Sequence, residues 1–148
     1  MLQRFKFISI IIMAILYIHI GIKHFSNVEY FLNIMPPYLP FHIPLVYISG
    51  FFEVLFGFLL LFKKTRRYAS IGLIMLLILV FPANIYLVQS LEAQLSLGIS
   101  KSQALMRLPF QIPLVVIAYW HSQNKSSIFF SCFCISLFFP TLIYFLSL

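Results

Sequence analysis

Long apolar runs separated by short polar stretches organise this chain. The runs are Phe7–Gly21, Pro44–Phe62, Tyr68–Val88, Leu108–His121 and Ile128–Leu148. None alternates apolar and polar residues with a period of two, so the strands of a membrane barrel are not the reading. A helix that crosses a bilayer needs about 20 predominantly apolar residues. Three runs are about that long, the first comes close once its pattern is carried on to His24, and the fourth in chain order is short and carries Pro109 and Pro113. The pattern predicts an all-α membrane protein, with a four-helix transmembrane bundle over residues 1–125 and an additional hydrophobic helix over 126–148. The first run has the basic start of a signal peptide. It lacks a small-x-small cleavage site and its pattern continues to His24, so it is read as a retained helix.

Composition and charge sharpen this picture. The 148 residues are 62% hydrophobic and 9% charged, with a mean hydropathy of +1.03. A soluble domain is about half apolar and a quarter charged, so the bilayer is the expected partner. The net charge of +7 does not point to nucleic acid, because no basic, polar face exists to carry phosphate contacts. The cations instead mark the ends of spans. Arg4 and Lys6 precede the first, Lys63, Lys64, Arg66 and Arg67 separate the second from the third, and Lys125 precedes the fifth. Alternating spans bring all three clusters to one side, which the positive-inside rule makes the cytoplasm. The expectation is a multi-pass protein of a bacterial cytoplasmic (inner) membrane with a cytoplasmic N-terminus. The C-terminus lies outside if the fifth segment spans, and inside if that segment is only interfacial.

Two longer loops, 23–43 and 89–106, fall on the opposite, outer side. The first is rich in proline and aromatics (YFLNIMPPYLPFHIP) and predicts an irregular cap on the bundle, since proline removes amide donors. The second has helical spacing of Leu91, Leu95 and Ile99, and either extends the third span or lies at the interface. Cys132 and Cys134 form a C-x-C pair, which matches neither a thioredoxin-type nor a zinc pattern. They read as small apolar packing groups.

Polar residues within the spans are the candidate site. Glu53 is one of only three acidic residues and lies mid-span, where an ionisable group costs on the order of 3 kcal/mol. Gly50, Glu53, Val54 and Gly57 share one helical face, and small residues there allow another helix to approach. Glu53 therefore points at protein. A buried carboxyl persists either protonated or beside a cation. Arg107, His24 and His19 are the candidate cations, and Arg107 is favoured because a guanidinium pairs bidentately with a carboxylate. Against it stands depth, as Glu53 lies roughly 13 Å below the start of its run. Pro82 in the third span should free the carbonyl of Ile78. Asn84 follows it, and Gln111 lies one turn after Arg107. Glu53, Arg107, Asn84, Gln111, His24 and His19 are expected to converge in the outer half, either as a ligand-binding cluster or as helix-to-helix glue. No H-E-x-x-H, G-x-S-x-G or phosphate loop is present. No metal site or catalytic residue is assigned, and His121 lies at the opposite end from the other histidines.

Together these segments resemble the DoxX-like family of small bacterial membrane proteins. The resemblance rests on Gly21-Ile-Lys-His24-Phe25, Pro37-Tyr-Leu-Pro40, Ser49-Gly50 with Glu53, Phe81-Pro82-Ala83-Asn84 and Arg107-Leu-Pro109-Phe-Gln111. It covers roughly residues 5–121 and implies a four-helix bundle with Glu53, Asn84, Arg107 and Gln111 at recurrent polar positions. The family takes its name from a subunit of a thiosulfate:quinone oxidoreductase, so the resemblance allows a quinone as cofactor. The segment after His121 departs from the pattern. Three functions are consistent with these readings. The first is an accessory subunit that binds a quinone or lipid and is linked to redox or envelope-stress physiology, alone or with a membrane partner protein. The second is a non-catalytic scaffold or assembly factor. The third is a proton-coupled or small-molecule transporter, which would require a homo-oligomer with a water path to Glu53.

Overall fold

The structure, a computed structural model, describes residues 1–146; the predicted fifth segment's last two residues, Ser147 and Leu148, lie outside the described residues. The described chain is all helical. In order the helices are α1 (Leu2–Ser26), α2 (Val28–Leu32), α3 (His42–Leu60), α4 (Arg66–Gln89), α5 (Leu91–Leu97), α6 (Lys101–Ser122) and α7 (Ile128–Leu146). The long helices run up and down. One end of the bundle gathers the starts of α1, α4 and α7 and the ends of α3 and α6. This basic end carries Arg4, Lys6, Lys63, Lys64, Arg66, Arg67 and Lys125. The other, the cap end, carries α2 and α5.

Four helices, α1, α3, α4 and α7, are long and apolar enough to cross a membrane, and the chain is a multi-pass membrane protein with an all-α bundle. α7 belongs to this set, so the fifth hydrophobic segment has the length and composition of a span. α6 is 22 residues long, or about 33 Å, but its polar residues lower its hydropathy. Large side chains such as Ile15, Ile22, Leu79, Ile112 and Ile143 face outward, the inverse of a soluble surface and suited to acyl chains. Ile10, Met13, Ala14, Leu60, Ala69, Leu73, Ile117 and Phe138 form the main core.

Helix ends differ from expectation in three places, each for a local reason. α6 starts at Lys101, seven residues before Leu108. A capping box nucleates it, in which the Ser100 side chain accepts from the Gln103 amide and the Gln103 side chain accepts from the Ser100 amide. This S-x-x-Q signature satisfies two orphan N–H groups, and the helix then runs through Pro109 and Pro113. The second loop does not extend the third span. Ser90 is extended and caps a separate helix, α5, while the Gln94 amide donates to the carbonyls of Leu87 and Val88 and closes α4. The proline-rich cap is not wholly irregular either, because α2 forms ahead of the prolines. At the basic end, the Thr65 hydroxyl donates to the Leu59 carbonyl at 2.8 Å and Arg66 Nε to the Leu60 carbonyl at 2.9 Å. These bonds satisfy the terminal acceptors of α3.

Candidate functional site

Close contact between α1 and α3 determines what surrounds Glu53. A Cβ on Gly21 would lie 2.7 Å from the Gly50 carbonyl oxygen, and one on Gly50 would collide with the Cβ of His24. One on Gly57 would lie 3.1 Å from the Ala14 carbonyl oxygen. The glycine face predicted for the second span is therefore the seam, with α1 as its partner. This register brings His24 beside Glu53 and places Tyr17 between the Gly21 and Ala14 levels.

Glu53 lies beside His24, not beside the favoured Arg107. Glu53 Oε2 lies 3.2 Å from His24 Nδ1. The same nitrogen lies 3.0 Å from the Ile20 carbonyl oxygen, which can only accept, so the single N–H is committed there. Glu53 Oε2 is thus buried beside an imidazole without a hydrogen bond. The Tyr17 hydroxyl is likewise buried and unbonded. Phe31 of α2 stacks on the His24 ring with centroids 3.5 Å apart.

Arg107 is held elsewhere. Its Nη2 donates to the Tyr30 hydroxyl at 3.2 Å, and its Nε is buried without a partner. Tyr30 packs edge-on against Phe31. Arg107 and Glu53 are therefore linked through the cap, by way of Tyr30, Phe31 and His24. The mismatch of depth noted from the sequence is resolved by α2, which supplies a nearer partner for the guanidinium.

Asn84 and Gln111 do meet. Asn84 Nδ2 donates to Gln111 Oε1 at 2.9 Å, and Gln111 Nε2 donates to the Leu77 carbonyl. The acceptor lies one residue before Ile78, within the turn that Pro82 disturbs. His19 does not join the cluster. It is exposed, away from the face of α1 that buries Tyr17, Gly21 and His24. The expected single convergence is thus three linked pairs, Glu53–His24, Arg107–Tyr30 and Asn84–Gln111. Tyr30 escaped the sequence reading, and Tyr17, which the sequence offers only as a packing or belt residue, shares a face with Gly21 and His24 at i, i+4 and i+7.

A second polar cluster occupies the basic end and was also missed. Lys6 Nζ donates to the Gln123 carbonyl at 2.6 Å and lies 5.4 Å from the centre of the Trp120 ring. Ser9 Oγ lies 2.9 Å from His121 Nε2, and its proton goes to the Lys6 carbonyl. His121 is therefore the donor in this contact, which rules out a nucleophile–base pair in this arrangement. Two cavities among the described residues lie elsewhere. One, of about 490 Å³, is a shallow cap-end groove bordered by Leu39, Phe41 and His42. The other, of about 90 Å³, lies between α1 and α7 at the basic end. Neither borders Glu53.

Residues 13–122 match the family described as Domain of unknown function (DUF8561). The chain belongs to that family. The family segment takes in Glu53, His24, Asn84, Arg107 and Gln111, and leaves α7 outside. No curated protein and no solved structure matches the chain.

Proposed function

We infer that this protein binds an apolar molecule with a carbonyl-bearing polar head, a quinone or a lipid, in the cap half of its bundle. It would serve as an accessory component of a redox or envelope-stress system in a bacterial inner membrane, with its N-terminus in the cytoplasm. The observation that carries this reading is the pair of buried polar atoms without hydrogen bonds, Tyr17 OH and Glu53 Oε2, at one level of the α1–α3 seam. A buried polar group left unpaired costs about 1–3 kcal/mol. A head group that exchanges hydrogen bonds with both would recover that cost. Arg107 Nε adds a further donor without an acceptor. The resemblance to DoxX-like proteins supports a quinone, and the charge asymmetry supports the orientation. The test is mass spectrometry of small molecules extracted from gently purified protein, wild type beside Glu53→Ala and Tyr17→Phe. A near-stoichiometric quinone or lipid in the wild type, lost from both variants, is expected. A folded but empty wild type overturns the reading.

A scaffold role is the second reading, favoured by two observations. Neither cavity described above borders Glu53. His24–Glu53, Asn84–Gln111 and Arg107–Tyr30 each join two different helices. On that reading Glu53→Gln lowers stability and changes nothing in the extract.

A further inference from the structure

We propose that the groove between α1 and α7 at the basic end is a binding site for one anionic phospholipid, with an acyl chain in the groove and its phosphate beside Lys6. Phe5, Ile8 and Ile12 of α1 form one wall, Phe138 and Phe139 of α7 the other, and Trp120 the floor. Phe5, Ile8 and Phe139 are about half exposed, so the groove opens sideways, where an acyl chain can enter. Its volume of about 90 Å³ accommodates a short stretch of chain and no folded partner.

Charge selects the head group. Lys6 springs from the same turn as Phe5 and Ile8, and its ammonium sits over the Trp120 ring that floors the groove. An ammonium has three donors, and the Gln123 carbonyl takes one. Among the described residues Lys6 has no carboxylate partner. Arg66 is a second positive charge that acts on it. Seven of the ten lysines and arginines lie at this end, and all three glutamates, Glu29, Glu53 and Glu92, lie elsewhere. A buried cation without an anion is costly, and a lipid phosphate at the head-group level supplies the missing charge without leaving the bilayer. Basic pockets between spans bind acidic head groups on the same principle.

The test is native mass spectrometry of the full chain, delipidated in detergent and offered phosphatidylglycerol or phosphatidylcholine with identical acyl chains. Wild type should retain one phosphatidylglycerol in preference to phosphatidylcholine. Lys6→Met keeps the apolar stem and should reduce phosphatidylglycerol retention roughly fivefold, as expected for one basic group near a lipid surface, with phosphatidylcholine unchanged. Ile8→Trp should fill the groove and reduce retention of both lipids. Equal retention of the two lipids by wild type overturns the proposal without any variant. A wild-type preference that survives in Ile8→Trp places the lipid on the exposed cations instead, and overturns it too. The outcome is independent of the cap-half ligand, because Glu53→Ala leaves this groove intact.

Discussion

Gln111 meets two demands at once, and its loss should exceed the loss of its partner. Its oxygen accepts from Asn84, and its amide supplies the Leu77 carbonyl beside the Pro82 turn. Gln111→Leu strands both groups, whereas Asn84→Leu strands only one acceptor. Interhelical hydrogen bonds in membranes average about 0.6 kcal/mol, with a ceiling near 1.7. Asn84→Leu is therefore expected to cost about 0.6 kcal/mol and Gln111→Leu about twice that. The double variant should be no worse than Gln111→Leu by a measurable margin, a non-additivity that marks direct contact. Denaturant titration of the purified protein reads all three, and additive losses would show that the two amides act separately. At this scale the sequence was a fair guide to which residues matter and a poor one to pairing. Glu53 stood out because its cost in lipid is a property of one residue. Its neighbour depends on helix register, which no single residue encodes. Arg107 was favoured for the bidentate fit of its guanidinium to a carboxylate, and the competing acceptor was Tyr30, on a helix hidden in a proline-rich stretch.

The seam between α1 and α3 is the element on which that register depends. Gly50 cannot gain a methyl group without meeting the His24 Cβ, and both atoms are fixed to helical backbone. Gly50→Ala should cost about 1–3 kcal/mol through overpacking. Gly57→Ala should cost less, since its nearest neighbours lie at 3.0–3.1 Å and one is the movable Ile18 side chain. Thermal unfolding in detergent should rank them in that order. A Gly50→Ala protein as stable as wild type would mean that the two helices are not in this register. The spacing of Gly50, Glu53 and Gly57 made this face legible from the sequence, and the apolar runs gave five long helices in the right order. What stayed hidden were local choices of backbone geometry. The Ser100–Gln103 capping box extends α6 by almost two turns beyond its apolar run, and Ser90 breaks α5 from α4. Both depend on single side-chain acceptors, which hydropathy does not register.

The whole molecule raises the question of how α6 crosses a bilayer without the hydropathy of a span. Beyond its exposed first turn, Lys101 to Gln103, its polar groups are largely covered by the rest of the bundle. Gln111 is buried against α4, Arg107 is held by the cap, and His121 is buried against Ser9 of α1. Lipid meets only its apolar remainder, such as Leu105 and Ile112. A helix shielded in this way needs neighbours more than it needs apolar composition, and charged or polar residues in spans persist on that condition. If α6 crosses, the turns before and after the α4–α6 hairpin lie on one face of the membrane and the α5–α6 turn on the other. Single cysteines introduced by Lys64→Cys, Lys125→Cys and Ile99→Cys, in a chain carrying Cys132→Ala and Cys134→Ala, report this directly. An impermeant maleimide should label positions 64 and 125 from the same face of sealed vesicles, and position 99 from the opposite face. Labelling of 64 and 125 from opposite faces would mean that α6 lies along the interface, and the bundle would then lose both the Asn84–Gln111 contact and the floor of the α1–α7 groove. The Lys64 and Lys125 turns share their end of the bundle with Lys6 and Trp120, so the expected labelling also puts Lys6, the cation proposed to meet the lipid phosphate, on that same side of the bilayer.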